Sequence, residues 1–312
     1  MRTLLSELLN SLQLLNSLQL LNSCNLRKVY IIIGVMGVLS AGAQTTYEAA
    51  DSVRICRLLS EAPRDAGTLW FARQLLGTPY VAHTLEVNAD ERLVVNTRQL
   101  DCTTLVETVT ALTLCARRRQ HRWADYLDQL RRLRYRRGVM DGYTSRLHYF
   151  SDWIVDKEGM QIVKEIQGPN PPFTAVQHIK ASYMSSHPDS YRALRANPAL
   201  VAVIRRQEQA LTGTARRYIP KADISDSRLL RDVIHDGDII AITCDKPGLE
   251  IAHLGFALWQ KDGLHLLNAS QLHKKVVVEP MTLYRYLQRH PKHTGIRVVR
   301  LKDENTPSAT NP

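Results

Sequence analysis

The chain is short of paired cysteines, aromatic rings and acidic charge. Its five cysteines include no CxxC pair, which excludes a zinc ribbon and a dithiol redox motif. No HExxH occurs, and His265, His273, His290 and His293 lack metal-ligand spacing, so the reading is of a protein with no metal and no cofactor. Aromatic residues make up only 6% of the chain, and most of them are tyrosine. Thirty acidic residues face 41 basic ones, for a net charge of +11. That balance suits anionic partners (nucleic acid, a membrane surface or an acidic glycopeptide) and says nothing about fold. With 312 residues, 44% hydrophobic and 23% charged, there is enough chain for one large domain or two modest ones.

A long apolar run is also missing. The strongest candidate, YIIIGVMGVLS, is too short to span a bilayer. It follows Arg27 and Lys28 and precedes Ala41-Gly42-Ala43, the three parts of an export signal with cleavage after Ala43. The alternative is a retained membrane anchor. Upstream, residues 8–23 repeat LLNSLQ, a six-residue period that fits neither helix nor heptad. The expected layout is a leader at 1–43, one domain at 44–303 and a polar disordered tail at 304–312.

What is present centres on LDCTTLVETVTAL, residues 100–112. Here an extended, polar-flanked run turns into an apolar helical pattern, with Cys102 at the turn. Unpaired N–H groups and the helix dipole at such a start favour thiolate, the nucleophilic form. Asp101 is a candidate helix cap, and Thr104 with Glu107 forms a second capping-box pattern one turn in. A cysteine nucleophile needs a base and an orienter. His253 lies in the strand pattern IAHLGFALWQ, where it faces either core or cleft. Asn268 lies in the next one, GLHLLNAS. Antiparallel neighbours joined through Asp262-Gly263 can set the two side by side, and an Asn carbonyl then fixes the imidazole tautomer. The order Cys, His, Asn is one used by thiol hydrolases. Cys115 and Cys244 sit in apolar surroundings and read as inert core.

The rest divides into helices first, an inserted helical region at about 117–215, and a strand-rich end from Leu229. This is α+β with an antiparallel sheet, not a doubly wound parallel sheet. The insertion opens on nine arginines between Arg117 and Arg137, spaced among Trp123, Tyr126, Leu127, Leu130 and Leu133 as an amphipathic helix. Its basic face is either solvated or a contact for an anionic polymer or membrane.

Several segments together carry a resemblance: LLGTPYVA, LDCTTLVE, RLHYFSDWI, IPK, DGDIIAIT, AHLGFAL and LLNAS. In these the chain resembles the NlpC-like branch of papain-fold cell-wall hydrolases, and within it a family of N-acetylmuramoyl-L-alanine amidases. The resemblance spans about 51–301. It implies that Cys102 attacks the amide carbonyl, His253 moves the proton and Asn268 orients His253. Clan members often carry His in the third role, so Asn268 is a departure. Tyr80 matches the cleft tyrosine, which helps hold the oxyanion or the substrate. Arg146, His148 and Tyr149 become substrate-contact candidates, with interdomain packing as the alternative. The implied activity is periplasmic cleavage of the muramoyl–L-alanine amide in small muropeptides, including the anhydro type. The alternatives are a D-Glu–diaminopimelate endopeptidase and a non-catalytic peptidoglycan-binding protein. Neither nucleic acid nor a stable membrane span is expected of the mature chain.

Overall fold

The computed structural model describes residues 45–303 except 226. The leader, its cleavage point after Ala43 and the tail at 304–312 lie outside the described residues. From Thr46 onward the described residues group as one unit. No helix among them is long and apolar enough to cross a membrane.

Among the described residues, five α-helices precede the main sheet: α1 (Ala49–Glu61), α2 (Thr68–Gln74), α3 (Cys102–Arg117), α4 (Trp123–Arg134) and α5 (Phe150–Gly159). The arginine run does not make one helix. It contributes the end of α3, a turn with Arg119 at φ 54°, and then α4. Its charges are largely tied down internally: Arg134 to Glu107 at 2.7 Å, Arg136 to Asp152 at 2.5 Å, and Arg131 to Asp128 at 2.6 Å.

Eight strands form one antiparallel sheet: β1 (Val163–Ile166), β2 (Ala175–His178), β3 (Ala215–Pro220), β4 (Ile239–Cys244), β5 (Ile251–Gln260), β6 (Gly263–Ser270), β7 (Lys275–Val278) and β8 (His293–Leu301). Their order is β2-β3-β8-β4-β5-β6-β7, with β1 also paired to β8. The expected helical insertion at 117–215 is therefore only partly helical, because β1 and β2 arise inside it and join the main sheet. Residues 163–178 are short and broken by Gly168 and three prolines, so neither period is long enough to read there.

Strand alternation splits the core in two. Ile239, Ala241, Phe256 and Leu267 pack with α1 to α5 on one face. Ile240, Ile242, Ala257 and Leu266 pack on the other with Leu230 and Val233, and with Leu283 and Leu287 of a short helix at Leu283–Gln288. The central strand β4 is buried along its whole length, which is why IIAITC reads as a continuous apolar run. A smaller core, with Tyr149, Met184, Leu194 and Ile204, holds the inserted helices Tyr183–Ser186, Arg192–Ala196 and Ala199–Leu211.

Candidate active site

Helix α3 starts at Cys102 because Asp101 caps it. The Thr104 N–H donates to Asp101 Oδ1 at 2.8 Å, and the Asp101 N–H donates to Thr104 Oγ1 at 2.9 Å. Such a cap contributes about 1 kcal/mol. Thr104 thus closes a box with Asp101, not with Glu107. Glu107 is buried against Arg134 instead.

Cys102 is half-buried, with the backbone N–H groups of Leu254 and Thr103 facing its sulfur. The ladder between β5 and β6 ends at the pair Phe256↔Leu267, which leaves the Leu254 N–H for this contact. Those donors favour thiolate, but they are outweighed. Burial first, and Asp101 second, push the thiol up to about 12. Here the surroundings oppose the expected thiolate: desolvation and the Asp101 carboxylate both favour the neutral thiol. The helix start favours the anion only where the sulfur is not also desolvated and set beside a carboxylate.

His253 and Asn268 sit on adjacent strands. His253 Nε2 lies 3.0 Å from Asn268 Oδ1, and Asn268 Nδ2 donates to Leu266 O at 3.2 Å. The second bond turns the amide so that its carbonyl meets the ring. Nε2 then carries the proton and Nδ1 holds the lone pair. Extended by one residue, the register sets Gly255 opposite Asn268, and that missing side chain leaves the diagonal to His253 open. Burial holds His253 below the ordinary histidine range, against the raising effect of Asn268.

Cys102 and His253 line one cavity, walled also by Val106, Leu147, Phe150 and Trp153. Phe150 and Trp153 stack with ring centroids 5.1 Å apart. Its two carboxylates are both engaged. Glu107 pairs with Arg134, and Glu250 accepts from the Ser151 N–H at 2.8 Å and from the Ser151 hydroxyl, with Arg297 at 3.5 Å. Tyr80 lies beside Cys102, next to Leu100 through a backbone bridge; burial, then Cys102 and Asp101, raise its hydroxyl.

The three RLHYF candidates separate. His148 and Tyr149 line the cavity, whereas Arg146 does not. The Arg146 guanidinium is buried against Glu86 and Glu91, over the Tyr143 ring. It is buried and ion-paired outside the cavity lining, the packing alternative of the sequence reading. His148 is held neutral, down to about 3, by burial and then Arg146. The Tyr149 hydroxyl donates to Glu208 at 2.6 Å and ties the cavity wall to the inserted helices.

The sequence did not single out Phe150, Trp153 or the 249–252 wall as site residues. No periodic signal marks an aromatic as cavity lining over core.

The family model for N-acetylmuramoyl-L-alanine amidase-like (AmiA-like) proteins matches residues 70–296, a span that includes Tyr80, Cys102, His253 and Asn268. An N-acetylmuramoyl-L-alanine amidase from Bacteroides uniformis is 42% identical, over 75% of this chain and 97% of that one, with a TM-score of 0.70. A Bacteroides fragilis protein provisionally named a xylanase is 39% identical over 74% of this chain and 99% of its own, with a TM-score of 0.69. A Legionella pneumophila protein at 22% identity, over 81% of this chain and 94% of its own, shares the fold with a TM-score of 0.62. No curated protein matches the chain. With most of its length covered by the family model and by homologues near 40% identity, the chain belongs to the N-acetylmuramoyl-L-alanine amidase-like family.

Proposed function

We propose that the protein is an exported cysteine amidase of papain-like, NlpC-like architecture. It cleaves the amide between N-acetylmuramic acid and L-alanine in peptidoglycan fragments. The observation that carries this is one shared cavity holding Cys102 and His253, with His253 fixed through Nε2 by Asn268.

In this reading the resting pair is neutral. His253 Nδ1 takes the thiol proton as sulfur attacks the lactyl carbonyl. The oxyanion receives the Cys102 backbone N–H, with the Tyr80 hydroxyl as second donor. The imidazolium then protonates the departing L-alanine amine as the C–N bond breaks. Water, activated by the same ring, hydrolyses the thioester and regenerates the thiol.

Glycoside cleavage, which the Bacteroides fragilis name suggests, needs one carboxyl as acid and another as base or nucleophile. Glu107 and Glu250, the cavity's carboxylates, are both committed to ion pairs or helix capping, which favours the thiol reading.

Mass spectrometry of a digested muropeptide tests the proposal. Free disaccharide with an intact stem peptide is expected. Disaccharide still bearing L-Ala-D-Glu means an endopeptidase. Turnover that survives Cys102→Ala refutes the thiol mechanism, and binding without turnover in the natural protein makes it a binding protein.

A further inference from the structure

Leu249 and Glu250 line the catalytic cavity and also a second one beyond it. The second cavity is walled by Gln177, His178, Lys180, Cys244 and Lys246 among others. Its lining holds two lysines, Lys180 and Lys246, and two carboxylates, Asp245 and Glu250. Glu250 is committed to Ser151 and Arg297, and Asp245 lies 4.0 Å from Lys292. No carboxylate among the described residues pairs with Lys180 or Lys246. The Lys246 ammonium rests on Tyr183 instead, 3.3 Å from its hydroxyl and 4.4 Å from the ring centroid.

The wall is also built to stay in place. The Ser182 and Tyr183 N–H groups both donate to Gly248 O at 3.1 Å. Gly248 has φ +73°, and a Cβ there would come within 2.7 Å of Ser182 Oγ. Only glycine permits this approach. Gln177 donates to Glu250 O at 2.8 Å, which leaves its Oε1 buried and unpartnered. That oxygen is an acceptor available to a peptide N–H.

We propose that this second cavity is the carboxylate-binding end of the substrate site. It takes the free carboxylates of the stem peptide, on the leaving-group side of Cys102. The inference rests on the amidase reading above. A stem peptide carries free carboxylates at its end and on its D-glutamyl residue, and Lys180 and Lys246, which have no carboxylate partner among the described residues, match them in charge. The dimensions agree. The wall from Leu249 to His253 is five residues, four steps of at most about 14 Å in extended chain, close to the length of a tri- or tetrapeptide.

Calorimetry on Cys102→Ala, which leaves the peptide uncleaved, tests this with a synthetic stem peptide. The peptide is used in two forms: carboxylates free, and carboxylates converted to carboxamides. Adding Lys180→Ala and Lys246→Ala is expected to weaken the free acid about tenfold or more, and the carboxamide by no more than about twofold. Lys→Arg at both positions should restore the acid's affinity. Equal losses for both peptides, no loss for the acid, or no binding of either peptide before the lysines are removed would each overturn the proposal. Because no turnover is required, this outcome is separate from the amidase reading, which the digestion products decide.

Discussion

Asn268 Oδ1 lies 3.0 Å from His253 Nε2, and the Asn268 amide is itself oriented by its bond to Leu266 O. The imidazole is thus aligned by an uncharged group and gains a fixed tautomer without the electrostatic help a carboxylate would bring to its cation. Asn268→Ala should lower kcat roughly 10- to 100-fold with KM little changed, because the loss falls on proton transfer. Steady-state kinetics on a muropeptide checks this, and a change confined to KM would contradict it.

The neutral resting pair has a pH signature. His253 must be unprotonated to accept a proton, and burial holds it below the ordinary value of about 6.5. Activity should therefore rise with pH through a midpoint below 6.5. Cys102 is held up to about 12, so its loss of a proton should produce no fall in activity between about pH 7 and 9. Alkylation of Cys102 by iodoacetamide should be slow at neutral pH and accelerate only in strong alkali. Rapid alkylation at pH 6 would reveal a thiolate–imidazolium pair instead.

Arg146 is 5% exposed and paired with Glu86 and Glu91. Arg146→Ala leaves carboxylates without their partner at a buried site and should cost about 3 kcal/mol of stability. Urea denaturation measures the loss. At a temperature where the variant remains folded, KM should match that of the natural protein. A raised KM at unchanged stability would restore Arg146 as a substrate contact.

Gly255 is limiting for space. A Cβ there would lie 2.7 Å from both Leu266 Cγ and Leu267 O. Gly255→Ala should cost about 1–3 kcal/mol by forcing β5 and β6 apart. The displacement acts at the strands that carry His253 and Asn268, so kcat should fall as well. A variant of full stability and full activity would show that the strands adjust freely.

The proposed trio was legible in the sequence because each member sits in a local pattern that needs no knowledge of the fold. Cys102 stands where extended chain becomes helix, and His253 and Asn268 stand in consecutive strands joined by a tight turn. The cavity walls were not legible. Phe150 and Trp153 look the same in sequence whether they fill a core or border a cleft. The arginine run showed an amphipathic period, but not that Arg134, Arg136 and Arg131 close ion pairs with Glu107, Asp152 and Asp128. Strands β1 and β2 are four residues each, too short to display a period.

By itself, then, the sequence determined the α+β class, the helix start under the thiol and the strand pair that brings His253 and Asn268 together. All of these follow from periodicity and from capping between neighbours along the chain. Only the tertiary structure set the balance of forces on the Cys102 thiol, since desolvation and the nearness of Asp101 depend on how the chain closes around the sulfur. It also set the partners of Arg146, because Glu86 and Glu91 reach it across 60 and 55 residues of sequence. Long-range charge pairing and burial are properties of the packed chain, and no local pattern encodes them.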